Sequence, residues 1–353
     1  MPHKLKVSAP GRICLFGEHQ DYLGLPVITA AINLRITLIG QATQDDKIRI
    51  DMPDLNEYIS FALILPLRYS ESRDYLKSTL NVLSRENVDF SHGIDVSIRG
   101  TIPINSGTSS SSAMVVAWTA FLLNMKKDPR ANDPVAIATL AHRSEVLEFN
   151  EPGGMMDHVA ATFGGVQYVD FKSSGPQALD APLGPFVLGD SREPKDTTSI
   201  LRRVKDGAQE GMRIVGKKIT EITLDDVDRY ESQLSANQYK VLRANIFNRY
   251  LTQVAKSLMH TEPFDHQQFG YLLFKHYEQL RDNLEISTPK IDRMINAAME
   301  AGALGAKING SGGGGCMFAY APDHTHQVAD AIAREGGKAY IIRVDDGVKI
   351  ETV

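Results

Sequence analysis

Four ionisable side chains lie within ten residues near the start of the chain. Arg12, Glu18, His19 and Asp21 belong to the run APGRICLFGEHQDYLG at residues 9–24. Glutamate, histidine and aspartate together can hydrogen-bond several hydroxyl groups, as a sugar site requires. The residue types also permit a metal site or a surface group of ion pairs, although the spacing is not that of a calcium loop or a zinc helix. The run therefore predicts a sugar site, with those two alternatives open.

Five consecutive hydroxyl residues, 108–112, close the segment GTIPINSGTSSSSA at residues 100–113. The apolar run 113–124 follows and predicts a buried helix, because it is apolar on every side. A helix N-terminus offers unpaired amides and the positive end of the helix dipole, which attract phosphate. The segment therefore predicts a triphosphate site, without the GK[ST] ending of a Walker loop; a flexible loop with a serine N-cap is the alternative. The predicted ATP-binding residues are Ser106, Gly107, Thr108, Ser109, Ser110, Ser111 and Ser112.

A glycine cluster, NGSGGGG at residues 309–315, separates two strand-like runs. A hairpin turn needs only one or two glycines, so the cluster indicates a place where another group approaches the backbone closely. That group is either a ligand phosphate or the glycine-containing loop near residue 107, and the sequence leaves both readings open.

The elements that must position these residues follow from the hydrophobic pattern. Residues 6–50 predict antiparallel strands, residues 94–99 another strand, and residues 134–148 a helix that a Pro-Gly-Gly turn separates from a second helix near Met155. Prolines in the segment 172–185 indicate a boundary, which gives an N-terminal domain at 1–185 and a C-terminal domain at 186–353. The second half predicts helices near 225–258, 266–284 and 288–301, then strand, glycine-rich loop, strand, helix and strand. The fold class is α+β.

Composition narrows the classes of protein that the chain could represent. The 353 residues are 42% hydrophobic and 23% charged, as in ordinary globular proteins. A net charge of −5 provides no basic surface, which argues against nucleic acid or a membrane as partner. The longest apolar run is too short to span a bilayer and the first residues do not resemble a signal peptide, so a cytoplasmic protein is expected. Cys14 and Cys316 lack CxxC spacing and are expected to stay reduced.

Taken together and in this order, the three segments resemble the three motifs of the GHMP kinases. The first is similar to the galactokinase signature PGRxxxxGEHxDY, whereas mevalonate-type kinases usually have lysine after PG. The sequence GGMMD at residues 153–157 is similar to the family's CGIMDQ motif. The resemblance implies the GHMP kinase fold, with an N-terminal domain like domain 2 of ribosomal protein S5 and a C-terminal ferredoxin-like α/β sandwich.

The resemblance also implies a role for each matched residue. The chain is expected to be a galactokinase-like sugar kinase that uses ATP to phosphorylate an anomeric hydroxyl, with Asp157 as the catalytic base and Arg12 beside it. Mg²⁺ is expected on Ser111 and Glu145. The sugar ligands implied are Glu18, His19, Asp21 and Gly154. Partners are then ATP and a small sugar only, and the protein is expected to be a monomer or a weak dimer.

Two departures from the galactokinase pattern leave the substrate open. Galactokinases have DYNGG where this chain has DYLGL at residues 21–25, and Ser199 stands where they place a tyrosine that contacts galactose. The acceptor could be galactose or a related hexose, pentose or uronic acid. A mevalonate-type or other small-alcohol GHMP kinase is the alternative, and a non-catalytic sugar-sensing galactokinase homologue is a further one.

Overall fold

The computed structural model describes residues 4–103, 107–171, 175–194 and 197–353. Within these ranges, twelve strands form an eight-stranded sheet and a four-stranded sheet. The strands are β1 (Leu5–Phe16), β2 (Val27–Ala42), β3 (Lys47–Met52), β4 (Glu57–Ala62), β5 (Ile94–Gly100), β6 (Val166–Val169), β7 (Gln177–Ala178), β8 (Phe186–Asp190), β9 (Gly305–Asn309), β10 (Cys316–Tyr320), β11 (Lys338–Ile342) and β12 (Lys349–Thr352). The α-helices are α1 (Tyr75–Arg85), α2 (Ser110–Met125), α3 (Pro134–His142), α4 (Met156–Phe163), α5 (Thr197–Val215), α6 (Leu224–Arg229), α7 (Ala236–Leu258), α8 (His266–Glu278), α9 (Pro289–Glu300) and α10 (Thr325–Arg334).

The larger sheet has the strand order β12-β1-β2-β5-β3-β4, with β6 paired to β2 and β7 paired to β6. The antiparallel pairing predicted within residues 6–50 is confirmed for β1 with β2, and β3 pairs antiparallel with β4, which was not predicted. The strand predicted at 94–99 is confirmed as β5, which runs antiparallel to β2 and parallel to β3. Strands β3 and β5 can run parallel because the chain turns back in β4 and α1 then carries it across the sheet before β5 begins. A parallel pair requires such a crossover connection.

Strand β1 is continuous from Leu5 to Phe16. Its register against β2 shifts between Pro10 and Arg12, at the place where proline and glycine are tolerated in a strand. The Arg12 amide donates instead to the carbonyl of Thr108, at 3.1 Å. The irregularity in β1 therefore attaches the first motif to the loop that precedes α2.

Helix α2 forms the centre of the core beneath the larger sheet. The predicted buried helix is confirmed, since its residues from 115 to 123 are all buried. Trp118 is fully buried, stacks on Phe121 and donates to the carbonyl of Leu76 at 3.1 Å. This packing against β1 and β2 fixes the N-terminus of α2 beside the irregularity in β1.

The smaller sheet has the order β11-β8-β10-β9, and the predicted C-terminal succession of strand, loop, strand, helix and strand is confirmed. The helix predicted near 225–258 is two helices, because Ser235 starts a new helix with a capping box. Helices α1 and α5 and strands β4, β6, β7, β8 and β12 were not predicted. The division into domains at 185/186 stays a prediction: β8 starts the smaller sheet at Phe186, whereas β12 returns to the larger one.

No helix in the described parts of the chain is both long enough and apolar enough to cross a membrane.

Arg35 attaches the C-terminal segment to the larger sheet. Its guanidinium donates to Asp345 at 2.7 Å, to the Asp346 carbonyl at 2.9 Å and to the Gly347 carbonyl at 2.6 Å. It also donates to the Ser8 carbonyl at 3.0 Å. These bonds hold the chain immediately before β12, which pairs with β1.

We therefore expect Arg35→Ala to lower the free energy of unfolding by about 2 kcal/mol, since hydrogen bonds from a charged donor are lost. Amide exchange at residues 349–352 should accelerate selectively, as measured by hydrogen–deuterium exchange. Arg99→Ala is the matched control, because that side chain is 67% exposed and its acidic partner is 3.8 Å away. Equal effects of the two substitutions would contradict this role for Arg35.

Candidate active site

A cleft of about 350 Å³ collects residues from all three motifs. Its walls come from the end of β1 and the loop after it, the start of α2, the start of α4 and the loop between β9 and β10. The predicted site residues that line it are Arg12, Glu18, His19, Asp21, Gly107, Ser109, Ser110, Ser111, Ser112, Glu145, Gly154 and Asp157. Thr108 is buried behind the lining, and Ser106 lies outside the described residues.

The buried Arg12 and the partly buried Asp157 form an ion pair in the cleft. The Arg12 Nε and Nη2 atoms both lie 2.7 Å from Asp157 Oδ1, and the arginine side chain is only 6% exposed. Burial by itself raises the pKa of Asp157, but the Arg12 guanidinium lowers it, and the net direction is below the ordinary value. The Asp157 carboxylate is therefore ionised at neutral pH and keeps a hydrogen-bond acceptor facing the cleft.

The carbonyl of Gly107 joins the three motifs. It accepts hydrogen bonds from Arg12 Nη1 of the first motif and, at 2.8 Å, from Asn309 Nδ2 of the third. Asn309 Oδ1 in turn accepts from the Cys14 amide at 2.9 Å. A Cβ atom on Gly310 would lie 2.8 Å from the Gly107 oxygen, so only glycine fits there. The sequence left two candidates for the group that approaches the glycine cluster, a ligand phosphate or the loop near residue 107. The structure shows contact with the loop.

Helix α2 begins at the cleft without a side-chain cap. Ser109 occupies the N-cap position with φ of 60°, in the left-handed region that favours glycine, and its hydroxyl does not bond to the first-turn amides. The serine N-cap alternative is therefore not what the structure contains. Ser110, Ser111 and Ser112 follow in the first turn and line the cleft, and Ser111 is exposed. This helix end retains the unpaired amides and positive dipole that bind anions.

Glu145 lies in a π-helical turn, Arg143–Leu147, that continues α3. Such turns insert one extra residue and change the direction in which side chains project. The Glu145 Oε2 atom is 2.8 Å from Nε2 of His158, the residue after Asp157. The hydroxyl of Ser111 and the carboxylate of Glu145 line the same cleft, and both offer the hard oxygen ligands that Mg²⁺ prefers. The donor set therefore fits the metal that the sequence predicted.

Glu18 pairs with a lysine that the sequence analysis did not identify. Lys307 is fully buried, and its Nζ donates to Glu18 Oε2 at 2.9 Å and to the Cys14 carbonyl at 2.8 Å. Lys307 lies on β9, two residues before Asn309. A lone lysine in a short apolar strand was the available signal, because a lysine is rarely buried without a partner.

Asp21 and Gly154 lie in contact in the wall of the cleft. A Cβ atom on residue 154 would lie 2.2 Å from Asp21 Oδ2, so glycine leaves the space that the carboxylate occupies. Burial, together with the nearby negative charge of Asp157, raises the pKa of Asp21 to about 6. The two aspartates thus have pKa values displaced in opposite directions.

Both ring nitrogens of His19 have hydrogen-bond partners. Nε2 lies 3.0 Å from the Ser311 carbonyl and Nδ1 lies 2.9 Å from the Tyr22 hydroxyl. Burial lowers the pKa of His19, so the ring is neutral and Nε2 carries the hydrogen. His19 therefore links the first motif to the loop of the third, and its predicted contact with a sugar stays a prediction.

Three protein-family models match parts of the chain. Residues 2–42 match the galactokinase galactose-binding signature, residues 74–165 the GHMP kinases N terminal domain, and residues 255–339 the GHMP kinases C terminal domain. A mevalonate kinase of Thermococcus gammatolerans is 29% identical over 367 residues, covering 99% of each chain. A galactokinase of Pyrococcus furiosus is 29% identical over 366 residues, covering 98% of this chain and 99% of the relative. Galactokinase of Lactococcus lactis, crystallised with galactose, superposes with a TM-score of 0.86 at 21% identity, covering 98% of this chain and 95% of that one.

The chain belongs to the GHMP kinases, which are phosphotransferases with an alcohol group as acceptor. It shares the GHMP kinase fold with galactokinase and mevalonate kinase, and proteins of this family use ATP, generally with Mg²⁺. The predicted family and fold are thereby confirmed. The individual site roles stay predictions.

The Lys307–Glu18 pair generates a stability prediction. Lys307→Met leaves the Glu18 carboxylate buried without its cation and should lower the free energy of unfolding by about 3–5 kcal/mol. Adding Glu18→Gln to that variant should restore most of the loss, because no uncompensated charge remains. Urea denaturation measures both, with Lys218→Met at an exposed position as control. If the double variant is no more stable than the single one, the two residues are not energetically coupled.

The raised pKa of Asp21 predicts how the stability of the fold depends on pH. Its native pKa of about 6 exceeds the ordinary 3.8, so the native state binds more protons than the unfolded state between these values. The ionised carboxylate therefore destabilises the fold increasingly as pH rises from about 4 to about 6. Asp21→Asn should be more stable than wild type by up to about 3 kcal/mol at pH 8 and by less at pH 5. A pH-independent difference, or an equal gain from the exposed Asp51→Asn, would contradict this assignment.

Proposed function

We propose that this protein transfers the γ-phosphoryl group of ATP to the anomeric hydroxyl of a neutral monosaccharide such as galactose, or a related hexose or pentose. The observation that carries the proposal is the ion pair of Arg12 and Asp157, which presents an ionised carboxylate to a cleft with further carboxylates on its acceptor side. Its only partners would be ATP and the sugar, and it would act as a monomer or weak dimer.

The nucleotide side of the proposed site is the start of α2. The unpaired amides there would receive phosphate oxygens, and the small side chains of residues 109–112 would let the phosphates approach the backbone. Ser111 and Glu145 would hold Mg²⁺, which neutralises charge on the phosphate oxygens when bound. Glu145 also forms a hydrogen bond with His158 at 2.8 Å.

The proposed chemistry uses Asp157 as a proton acceptor and orienting group. The acceptor hydroxyl would donate a hydrogen bond to the carboxylate and give up its proton there as its oxygen attacks the γ-phosphorus. Because Arg12 lowers the pKa of Asp157, the carboxylate is a weak base, so orientation of the hydroxyl contributes more than proton abstraction. This suits phosphoryl transfer, whose transition state places little demand on the nucleophile.

The charges around the cleft favour an uncharged acceptor. Arg12 and Arg73 are the arginines among the described lining residues, and each is paired with a carboxylate, Arg73 with Glu151 at 2.7 Å. Asp21 stands opposite with its pKa raised by burial and by Asp157. An acceptor with a carboxylate would be repelled by Asp21, and both arginines described on the cleft wall are already paired with carboxylates. A neutral polyol instead offers hydroxyl donors to the same carboxylates.

A mevalonate-type kinase is the second candidate. The similarity to the mevalonate kinase of Thermococcus gammatolerans, at 29% identity over nearly the whole chain, favours it. Mevalonate is a carboxylate-bearing alcohol, so the charge arrangement described above argues against it. The galactokinase of Pyrococcus furiosus is equally identical, and the galactokinase signature covers the segment with Glu18 and Asp21.

The test is a screen of acceptors with Mg·ATP, following ADP release. Galactose, galactosamine derivatives, arabinose and fucose should include the substrate, whereas glucuronate, galacturonate and mevalonate should be poor acceptors. Asp157→Ala should lower kcat by about 10²-fold or more, because the hydroxyl loses its orienting partner. Asp180→Ala, at an exposed position, should retain activity.

Two other results of this screen would each support a different function. Turnover of mevalonate alone would establish the second candidate and overturn the charge argument. Binding of a sugar that raises the melting temperature without phosphorylation would support the non-catalytic sensor.

A further inference from the structure

His158 is buried next to Asp157 in the chain, and its described hydrogen bond goes to Glu145. The residue follows Asp157 in the first turn of α4, and its ring is 1% exposed. Its Nε2 atom lies 2.8 Å from Glu145 Oε2. An ionised carboxylate only accepts hydrogen bonds, so Nε2 carries the hydrogen and donates. His158 therefore donates a hydrogen bond to one of the two carboxylate oxygens of Glu145, the residue proposed to bind the metal.

Stabilisation of the core does not explain this histidine well. Its Nδ1 atom is buried and has no hydrogen-bond partner among the described residues. Burying an imidazole nitrogen without a partner costs free energy, and an apolar side chain would avoid that cost. The bond to Glu145 is what the histidine adds at this position.

Glu145 needs an anchor because of where it lies. The π-helical turn Arg143–Leu147 interrupts regular helical geometry, so backbone position alone does not fix the direction of the carboxylate. The bond to His158 connects this turn to α4, the helix that carries Asp157. One hydrogen bond thus sets the proposed metal ligand in a fixed relation to the proposed base.

We infer that His158 is a positioning residue that orients Glu145 for the metal ion of the ATP complex. The inference rests on the proposed function, since it requires Glu145 to be a metal ligand. Hydrogen-bond partners of metal ligands commonly contribute 10–100-fold to metal affinity.

The experiment measures metal binding separately from nucleotide binding. Mn²⁺ binding to the protein–ADP complex is titrated by electron paramagnetic resonance, and ADP binding in EDTA is measured by calorimetry. His158→Leu should weaken Mn²⁺ binding about 10–100-fold and leave the affinity for metal-free ADP unchanged. His158→Gln, which keeps an N–H donor, should recover part of the loss.

His142 provides a matched control. Its ring packs edge-to-face on His158, with centroids 5.2 Å apart. His142→Phe keeps that aromatic packing and leaves the bond between His158 and Glu145 in place, so Mn²⁺ affinity should stay at the wild-type value.

Two results would overturn the inference. One is wild-type Mn²⁺ affinity in His158→Leu, and the other is an equal loss of Mn²⁺ and metal-free ADP binding, which would indicate a purely structural role. If His158→Leu does not fold, His158→Asn replaces it. The asparagine amide is too short to reach Glu145, so this variant should bind Mn²⁺ more weakly than His158→Gln, and equal affinities would refute the inference.

Wild-type protein that fails to bind Mn²⁺ with ADP would refute the proposed metal site itself, whichever acceptor the screen identifies.

Discussion

The position of the Arg12 guanidinium is the constraint on which the site depends. A buried cation must have its charge and its donors satisfied, and here one carboxylate and one carbonyl do so. Asp157 comes from the start of α4 and the carbonyl from Gly107, just before α2. The register shift in β1 places Arg12 within reach of both. Two helix starts and one strand are therefore fixed around a single side chain, and Asn309 of the smaller sheet donates to the same carbonyl.

The cleft concentrates negative charge at a cost to the fold. Glu18 is compensated by Lys307 and Asp157 by Arg12, whereas Asp21 has a raised pKa because burial and its carboxylate neighbour oppose ionisation. The ionised Asp21 destabilises the fold at neutral pH, so the requirement to fold does not explain this residue. Its presence next to Gly154, which leaves room for it, is understandable if a ligand with several hydroxyl groups completes its hydrogen bonding. Stability and binding thus impose opposite demands on this residue.

Local patterns in the sequence predicted the elements that carry the motifs. The uniform apolar character of α2, the hydroxyl run before it and the strands around the glycine cluster were all readable, because each depends on neighbouring residues. Helix α5 was not predicted, since Gly207 and Gly211 resemble interruptions. In the structure they allow close packing, because a Cβ atom on Gly211 would lie 2.8 Å from Leu242 of α7. The pairing of Lys307 with Glu18 joins residues 289 positions apart, and no local pattern encodes such a contact.

Strand β12 gives the folding process a particular order. It pairs with β1, so the earliest and latest strands of the described chain lie side by side in the larger sheet. During synthesis, one edge of β1 can pair with β2 as soon as β2 is made. The edge that later pairs with β12 stays unpaired until residues 349–352 have left the ribosome. An exposed edge invites pairing with other chains. All four strands of the smaller sheet precede β12 in the chain, so the pairing of β12 with β1 is the last pairing between described strands that synthesis makes possible.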